Sequence, residues 1–162
     1  MPLAAQRGAA TDREVAMDAL KLLQEDHDKV KKILEDLDST TERGTKTREE
    51  LFGKLRTELQ AHEVIEEEIL YPALKENPKT RELAMEAYEE HHVVDLVMAE
   101  IESVSYDDER WGAKFTVVKE NLEHHIEEEE KEMFDQARQV FDQDELVELG
   151  ERMQARKTEL LG

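Results

Sequence analysis

Two histidine–glutamate pairs with identical spacing are the residues of this sequence best placed to do chemistry. His62 and Glu66 lie four residues apart in HEVIEEEILYP, and His125 and Glu129 repeat that spacing in HIEEEEKEMFD. Residues at i and i+4 lie one above the other on one face of a helix. Each pair therefore presents an imidazole and a carboxylate in the same direction. Iron, manganese and zinc all accept this type of ligand set.

A single histidine precedes each pair at nearly the same distance. His27 in EDHDKV lies 35 residues before His62, and His91 in EEHHVV lies 34 residues before His125. The repeat indicates a duplicated unit of two helices. If the four helix faces meet at one level, they form a pocket of imidazoles and carboxylates, as in metal-binding helix bundles.

Helical phase distinguishes the members of the two adjacent histidine pairs. The apolar stripe of each helix passes through His91 rather than His92, and through His125 rather than His124. The remaining two histidines also lie on apolar stripes. We therefore predict four inward-facing histidines and two exposed ones.

The carboxylates on these stripes strengthen the prediction of a metal site. One buried histidine alone would indicate a core residue with ordinary hydrogen bonds. Glu66 and Glu129, however, also fall among apolar positions. A buried carboxylate costs several kcal/mol unless it is paired or bound to a metal. Four histidines at one level together with two such carboxylates favour metal binding.

Other polar residues near the pairs have more than one interpretation. Glu63 lies at the rim of the stripe of Glu66, and could be a further oxygen ligand or part of an exposed acidic run. The other acids of the two tracts are predicted to be solvated or to orient imidazoles from behind. Tyr71 and Tyr88, at helical spacing, are predicted to be core residues.

Apolar periodicity predicts the elements that position these residues. Helices are expected from about Asp12 to Leu37, from a capping box at Thr47 and Glu50 to Leu74, from the cap Asn77-Pro78 to the segment SVSYDD, and from about Asp108 to Val140. Pro72 is expected to kink or break the second helix. Asp142 with Glu145 should cap a short fifth helix. At ~1.5 Å per residue, all four inward histidines lie roughly 20–25 Å from the connecting helix ends, and hence in one layer.

The fold class predicted from this pattern is all-α. Short connections between long helices indicate an antiparallel up-down-up-down four-helix bundle. The bundle should comprise residues 12–140, after a flexible N-terminal arm at residues 1–11. An amphipathic helix at residues 141–162 should pack on the bundle or at a dimer interface, so the protein is expected to be a monomer or a homodimer.

Composition limits the classes of function. The 162 residues suit one domain, and the net charge of −20 disfavours nucleic acids and anionic membranes as partners. The sequence has no cysteine, which excludes disulfides, thiolate nucleophiles and iron–sulfur clusters. Without an apolar leader or a run long enough to span a bilayer, the expected location is the cytoplasm.

The four histidine motifs resemble the hemerythrin-like, or HHE cation-binding, domain family over about residues 12–140. The resemblance rests on DHDKV, HEVIEEEILYPAL, EEHHVV and HHIEEEEKEMF. It implies a four-helix bundle that holds two non-haem irons bridged by two carboxylates and an oxo or hydroxo group. Carried over by motif, Glu66 and Glu129 would bridge the irons, and the terminal ligands would be His27, His62, His91 and His125.

The third helix departs from the oxygen-carrying hemerythrins, which have two histidines at i and i+4 there. Ala87 and Asp95 lie four residues before and after His91. Glu63 is the best candidate for the missing ligand, as in the animal iron-sensing F-box domain and many bacterial members that this sequence resembles. A carboxylate in place of an imidazole should stabilise ferric iron. This favours sensing, sequestration or reductive chemistry over reversible oxygen carriage.

Several functions agree with this site. The first is binding or sensing of dioxygen or iron. The others are removal of peroxide or reduction of oxygen or nitric oxide by an enzyme, storage or donation of iron, and a metal-free helical interaction module. No dedicated acid or base stands out beside the ligands, so catalysis is left open. Zinc or manganese is an alternative to iron, although six or seven ligands exceed the needs of one tetrahedral zinc.

Overall fold

The computed structural model describes residues 18–162, and every regular element in this range is helical. We number five helices. They are α1 (Ala19–Asp38), α2 (Thr45–Ile65, Glu66–Leu70 and Tyr71–Lys75), α3 (Arg81–Ile101), α4 (Glu109–Glu128, Glu129–Met133 and Phe134–Val140) and α5 (Gln143–Leu161).

Helices α1 to α4 form the antiparallel bundle, in which α1 packs on α2 and α4, and α3 packs on the end of α2 and on α4. The predicted fold class is therefore confirmed. The predicted arm at residues 1–11 and the first turns expected for helix one, up to residue 17, lie outside the described residues.

Aspartates cap three of the helices. The carboxylate of Asp18 accepts a hydrogen bond of 2.7 Å from the backbone N–H of Leu20. Asp108 caps α4 in the same way. Asp142 and Glu145 form the predicted capping box of α5, which confirms this helix start.

Two other predicted helix starts are wrong. Helix α2 begins at Thr45 after Gly44, which has no side chain to cap it, so Thr47 and its partner Glu50 lie inside the helix. Helix α3 begins at Arg81 rather than at Asn77-Pro78. The carboxamide of Asn77 accepts from the N–H of Lys79 and closes a turn instead of a helix.

Helices α2 and α4 each contain a π-helical segment, Glu66–Leu70 and Glu129–Met133 respectively. The predicted break at Pro72 is not present, because α2 continues through this proline to Lys75. The irregularity lies one turn earlier, where the N–H of Tyr71 bonds to the carbonyl oxygen of Glu66. A π-helical turn changes the backbone spacing before the proline, and such turns are common at functional sites.

The apolar core consists of two clusters at the two ends of the bundle. One contains Leu23, Leu70 and Phe134, and the other contains Phe52 and Trp111. In α1, α2 and α3 the inward histidine lies between the residues of the two clusters, and in α4 His125 lies beside Ile126, the last residue of the second cluster. The histidine layer is therefore closed by apolar side chains at both ends.

Helix α5 packs along α1 and α2. Leu146, Leu149 and Met153 join the first apolar cluster. With 19 residues, α5 is shorter than α2 and α4, and it is the additional C-terminal helix that was predicted. Between residues 18 and 162, no helix combines the length and the apolar character needed to cross a membrane.

Candidate metal centre

Four of the histidines lie in the bundle interior. The exposed fractions of His27, His62, His91 and His125 are 1%, 5%, 4% and 5%. The adjacent residues, His92 and His124, are exposed. The helical phase therefore identified the inward histidines correctly.

Glu66 and Glu129 lie between two pairs of imidazole rings. The ring centroids of His27 and His62 are 5.0 Å apart, and those of His91 and His125 are 4.9 Å apart. Both carboxylates are almost fully buried.

Each carboxylate contacts one histidine of each pair. Oε1 of Glu66 is 2.9 Å from Nε2 of His62 and 3.3 Å from Nε2 of His91. Oε1 of Glu129 is 3.1 Å from Nε2 of His27, and its Oε2 is 3.2 Å from Nε2 of His125. Both glutamates thus connect the two halves of the centre.

The potential ligand atoms form two compact triads, and within each triad they lie within 4.8 Å of one another. The triads are His27 with His62 and Glu129, and Glu66 with His91 and His125. Each offers two nitrogens and an oxygen, a mixture that suits iron, manganese or zinc.

A carboxylate stands behind every inward histidine. An ionised carboxylate can only accept, so Nδ1 carries the proton and Nε2 is free to face the centre. In metal sites such contacts fix the tautomer and the orientation of the ligand ring. The Nδ1 contacts are His27–Glu130 at 2.7 Å, His62–Asp26 at 3.0 Å, His91–Glu67 at 3.0 Å and His125–Glu90 at 3.1 Å.

Several buried atoms of the centre have no hydrogen bond. Among residues 18–162 these include Nε2 of His62, Nε2 of His125 and both oxygens of Glu66. Nε2 of His62 and Oε1 of Glu66 are only 2.9 Å apart, but their angles do not make a hydrogen bond. Buried polar atoms without a partner are rare. Their convergence on a common space fits a cation, so the residues present suit a metal.

Without a metal, the carboxylates favour protonated imidazoles. Burial lowers the pKa of His62, but the charge of Glu66 and the contact with Asp26 outweigh it and raise the pKa to about 10. Burial also lowers the pKa of His91. The contact with Glu66 outweighs this effect and raises the pKa of His91 to about 8. A metal would have to displace these protons.

The pKa values of His125 and Glu129 are also shifted toward a protonated imidazole and an ionised carboxylate. Burial opposes ionisation of both groups. The charge of Glu129 nevertheless raises the pKa of His125 well above its ordinary value. The proximity of Glu66 and the charge of His125 hold the pKa of Glu129 well below its ordinary value.

Glu63 is buried but belongs to neither triad. It forms a separate cluster with Glu67 and His91. Burial, followed by a hydrogen bond with Asp95, raises its pKa to about 8. It is therefore not part of the exposed acidic run, and its role as a ligand stays a prediction.

Tyr71 contacts the centre, although its spacing suggested only a core residue. Its hydroxyl donates to Oε2 of Glu129 at 2.8 Å and lies 3.3 Å from Nε2 of His91. Burial, followed by the charge of Glu129, raises the pKa of Tyr71 well above its usual range. Tyr88 packs on the Tyr71 ring and donates to the backbone oxygen of Glu67.

The π-helical segment explains why this tyrosine was missed. In an α-helix a residue five positions after Glu66 is turned away by about 140°. The additional residue in the π-helical turn brings Tyr71 back toward the face of Glu66. In the second half, Phe134 lies five residues after Glu129, and its ring stacks on that of His27 at 6.0 Å. The second half thus has a phenylalanine where the first half has Tyr71, whose phenol contacts Glu129 of one triad and His91 of the other.

A small cavity of about 20 Å³ reaches the centre beside Ala87. His125, Glu129 and Met133 also line it. This volume accommodates roughly one water-sized molecule. The small side chain of Ala87 thus leaves room next to His125 and Glu129.

Comparisons with known proteins agree with this geometry. Residues 18–137 match the family model of the hemerythrin HHE cation-binding domain. No curated protein matches the sequence.

The chain is also similar to a solved hemerythrin HHE cation-binding domain-containing protein from Mycobacterium kansasii, with 29% identity and a TM-score of 0.78. That alignment covers 88% of this chain and 86% of the other. Because the family model spans all four bundle helices and every inward histidine, the chain belongs to the hemerythrin HHE cation-binding domain family.

Proposed function

We propose that the protein binds two iron ions in the histidine layer and uses them to bind or sense dioxygen or iron. The observation that supports this most strongly is the convergence of unpartnered Nε2 and carboxylate atoms in two triads. Each triad would hold one ion. Glu66 and Glu129 would bridge the ions, because each contacts histidines of both halves.

The ligand types favour iron over zinc. Two imidazoles per ion with shared carboxylates leave further positions for solvent or a small molecule. Structural zinc is usually enclosed by four ligands, which often include cysteine. This sequence contains no cysteine. The proposal places His27 and His62 on one ion, and His91 and His125 on the other.

Removal of peroxide is the second candidate, and the surroundings of Tyr71 favour it. A bound pair of irons would supply the redox chemistry. The phenol of Tyr71 holds a proton at Oε2 of Glu129, next to the cavity beside Ala87. A small molecule entering there would lie beside Glu129, the carboxylate that accepts this hydrogen bond.

The test is iron content and the visible spectrum of protein reconstituted with ferrous iron and exposed to air. We expect about two irons per chain and a charge-transfer band. The variant Glu66→Ala/Glu129→Ala should lose both. The control His92→Ala/His124→Ala removes two exposed histidines and should retain both. Equal iron content in the two variants would contradict the proposal.

Peroxide assays on the reconstituted protein then separate the two functions. Turnover that falls in Tyr71→Phe while two irons remain bound would favour the enzyme. Reversible spectral changes with oxygen or iron, without turnover of peroxide, would favour binding or sensing.

A further inference from the structure

The aspartate behind His62 differs from the three other carboxylates that support histidines. The side chains of Glu67, Glu90 and Glu130 are 37%, 29% and 23% exposed, whereas that of Asp26 is 3% exposed. Water can solvate the three glutamates. Asp26 needs a partner within the protein, because an unpaired buried charge is costly.

The partner is Lys157 of α5. Its ammonium group donates to Oδ1 of Asp26, while Oδ2 of the same carboxylate accepts from Nδ1 of His62 at 3.0 Å. Lys157 is itself only 8% exposed. A chain of contacts thus runs from α5 through Asp26 to an inward histidine.

Lys157 lies beyond the part of the sequence that defines the family match, which ends at residue 137. Helix α5 is docked by apolar residues such as Met153 and by the surface pair of Arg156 with Glu68, at 2.8 Å. Glu68 belongs to the π-helical segment that begins at Glu66. Helix α5 is therefore attached to α1 and α2, the helices that carry His27 and His62.

We infer that Lys157 is a positioning residue that holds Asp26 against His62, so that retention of the metal by this half of the centre depends on this contact from α5. The inference rests on the proposed metal site for its metal readout only. The contacts themselves do not require a metal.

A groove beside the ion pair of Asp26 and Lys157 gives the carboxylate of Asp26 an alternative position if the ion pair is lost. Asp26 and Lys157 border a groove of about 360 Å³ that opens to solvent and is also lined by Lys29. Without the ammonium group, the carboxylate of Asp26 can turn into this groove and be solvated. His62 would then lose the acceptor that fixes its ring and its tautomer.

The test compares Lys157→Met with Arg156→Met, a matched change on the same helix that removes only the surface ion pairs with Glu68 and Glu159. In metal-free protein we follow the downfield imidazole N–H resonance of His62, assigned by its absence in His62→Gln. We expect Lys157→Met to lose or strongly shift it and Arg156→Met to retain it. Lys157→Arg, which keeps the charge, should restore it.

In iron-loaded protein the readout is release of iron to a chelator. We expect Lys157→Met to release one of its two irons about ten-fold faster or more, the effect that loss of a supporting partner has on metal sites. Arg156→Met should stay within about two-fold of the parent protein.

If Lys157→Met does not fold, the variant Asp26→Asn/Lys157→Met replaces it in the test. This double variant removes both charges of the ion pair, so neither is left buried and unpaired. It should fold and still release one iron faster, since an amide oxygen is a weaker acceptor than a carboxylate. An unchanged His62 resonance in Lys157→Met, or unchanged release in the double variant, would overturn the inference. If the parent protein binds no iron, the proposed function is wrong. The role of Lys157 is still tested, because the His62 resonance is measured in metal-free protein.

Discussion

Glu66 and Glu129 repeat the same spacing from a histidine, yet their surroundings differ. Glu129 accepts a hydrogen bond from the hydroxyl of Tyr71, whereas both oxygens of Glu66 lack a hydrogen bond. The difference comes from the residue five positions later, which is Tyr71 in one half and Phe134 in the other. The two histidine–glutamate halves of the centre are therefore chemically unequal, although their spacing is duplicated.

Tyr71→Phe should lower the free energy of unfolding of the metal-free protein by about 1.5–3 kcal/mol, the range for buried hydrogen bonds to charged groups. The ring is kept, so packing changes little. Urea denaturation at pH 7 measures the effect. Tyr88→Phe, which removes a bond to a backbone carbonyl, is the control and should cost less. Equal losses would show that the contact of Tyr71 with Glu129 is not the stronger one.

Glu63→Gln should make the stability of the metal-free protein less dependent on pH. Burial and Asp95 raise the pKa of Glu63 to about 8, so the folded state holds a proton that the unfolded chain releases near pH 4.5. The parent protein therefore loses stability as the pH rises from 4.5 to 8. The glutamine variant lacks this loss.

Urea denaturation at pH 5 and pH 8 compares Glu63→Gln with Glu76→Gln, a change at an exposed position. We expect the advantage of Glu63→Gln over the parent to grow by a few kcal/mol between these pH values. A constant difference would mean that Glu63 is charged throughout. Faster release of iron by the same variant would support the prediction that Glu63 is a ligand.

At the scale of elements, the π-helical segments determine which side chains reach the centre. Periodicity located the helices and the inward histidines, because burial of an apolar stripe fixes helical phase. It could not reveal Tyr71, since its approach depends on an additional residue in one turn. Nor could it identify Lys157, which meets Asp26 only through the packing of α5, 131 residues away in the sequence.

The misplaced helix starts have a similar cause. Thr47 and Glu50 have the spacing of a capping box, but α2 already begins at Thr45. The hydroxyl of Thr80 donates to the carbonyl of Leu74. This contact with the end of α2 ties down the residue before α3. Local capping patterns compete with such tertiary contacts, and the sequence alone does not show which prevails.

Asp142→Ala should destabilise α5 at its start. The carboxylate accepts from the N–H of Glu145 at 2.8 Å, and the side chain of Glu145 bonds back to the N–H of Asp142. Loss of this cap should lower the free energy of unfolding by about 0.5–2 kcal/mol. Thermal unfolding checks this against Asp144→Ala, an exposed first-turn change that leaves the box intact. A larger effect of Asp144→Ala would contradict the role of the cap.

At the scale of the whole molecule, the bundle concentrates histidines and carboxylates in a layer closed by apolar clusters on both sides. The net charge of −20 makes the molecule as a whole attractive to cations. Within the layer, the pKa values of His62 and His91 are raised to about 10 and about 8. At pH 7 the metal-free protein therefore keeps protons where metals would bind.

Loading with ferrous iron at pH 7 should release about two protons or more per chain, because the ligand nitrogens must lose them. The raised histidine pKa values also stabilise the metal-free fold below pH 6.5, and this contribution is lost as the pH rises through 8 to 10. A pH indicator in weakly buffered solution measures the release. The variant Glu66→Ala/Glu129→Ala should release few protons. Iron uptake without proton release would contradict the assigned histidine states.

A crystal structure of iron-loaded protein, with anomalous data collected at the iron edge, tests the proposed two-iron centre most directly. We expect two anomalous peaks in the histidine layer, one at each triad, with Glu66 and Glu129 between them. A single peak, or peaks only at surface clusters such as Glu90 with His124 and Glu128, would contradict a two-metal centre in this bundle.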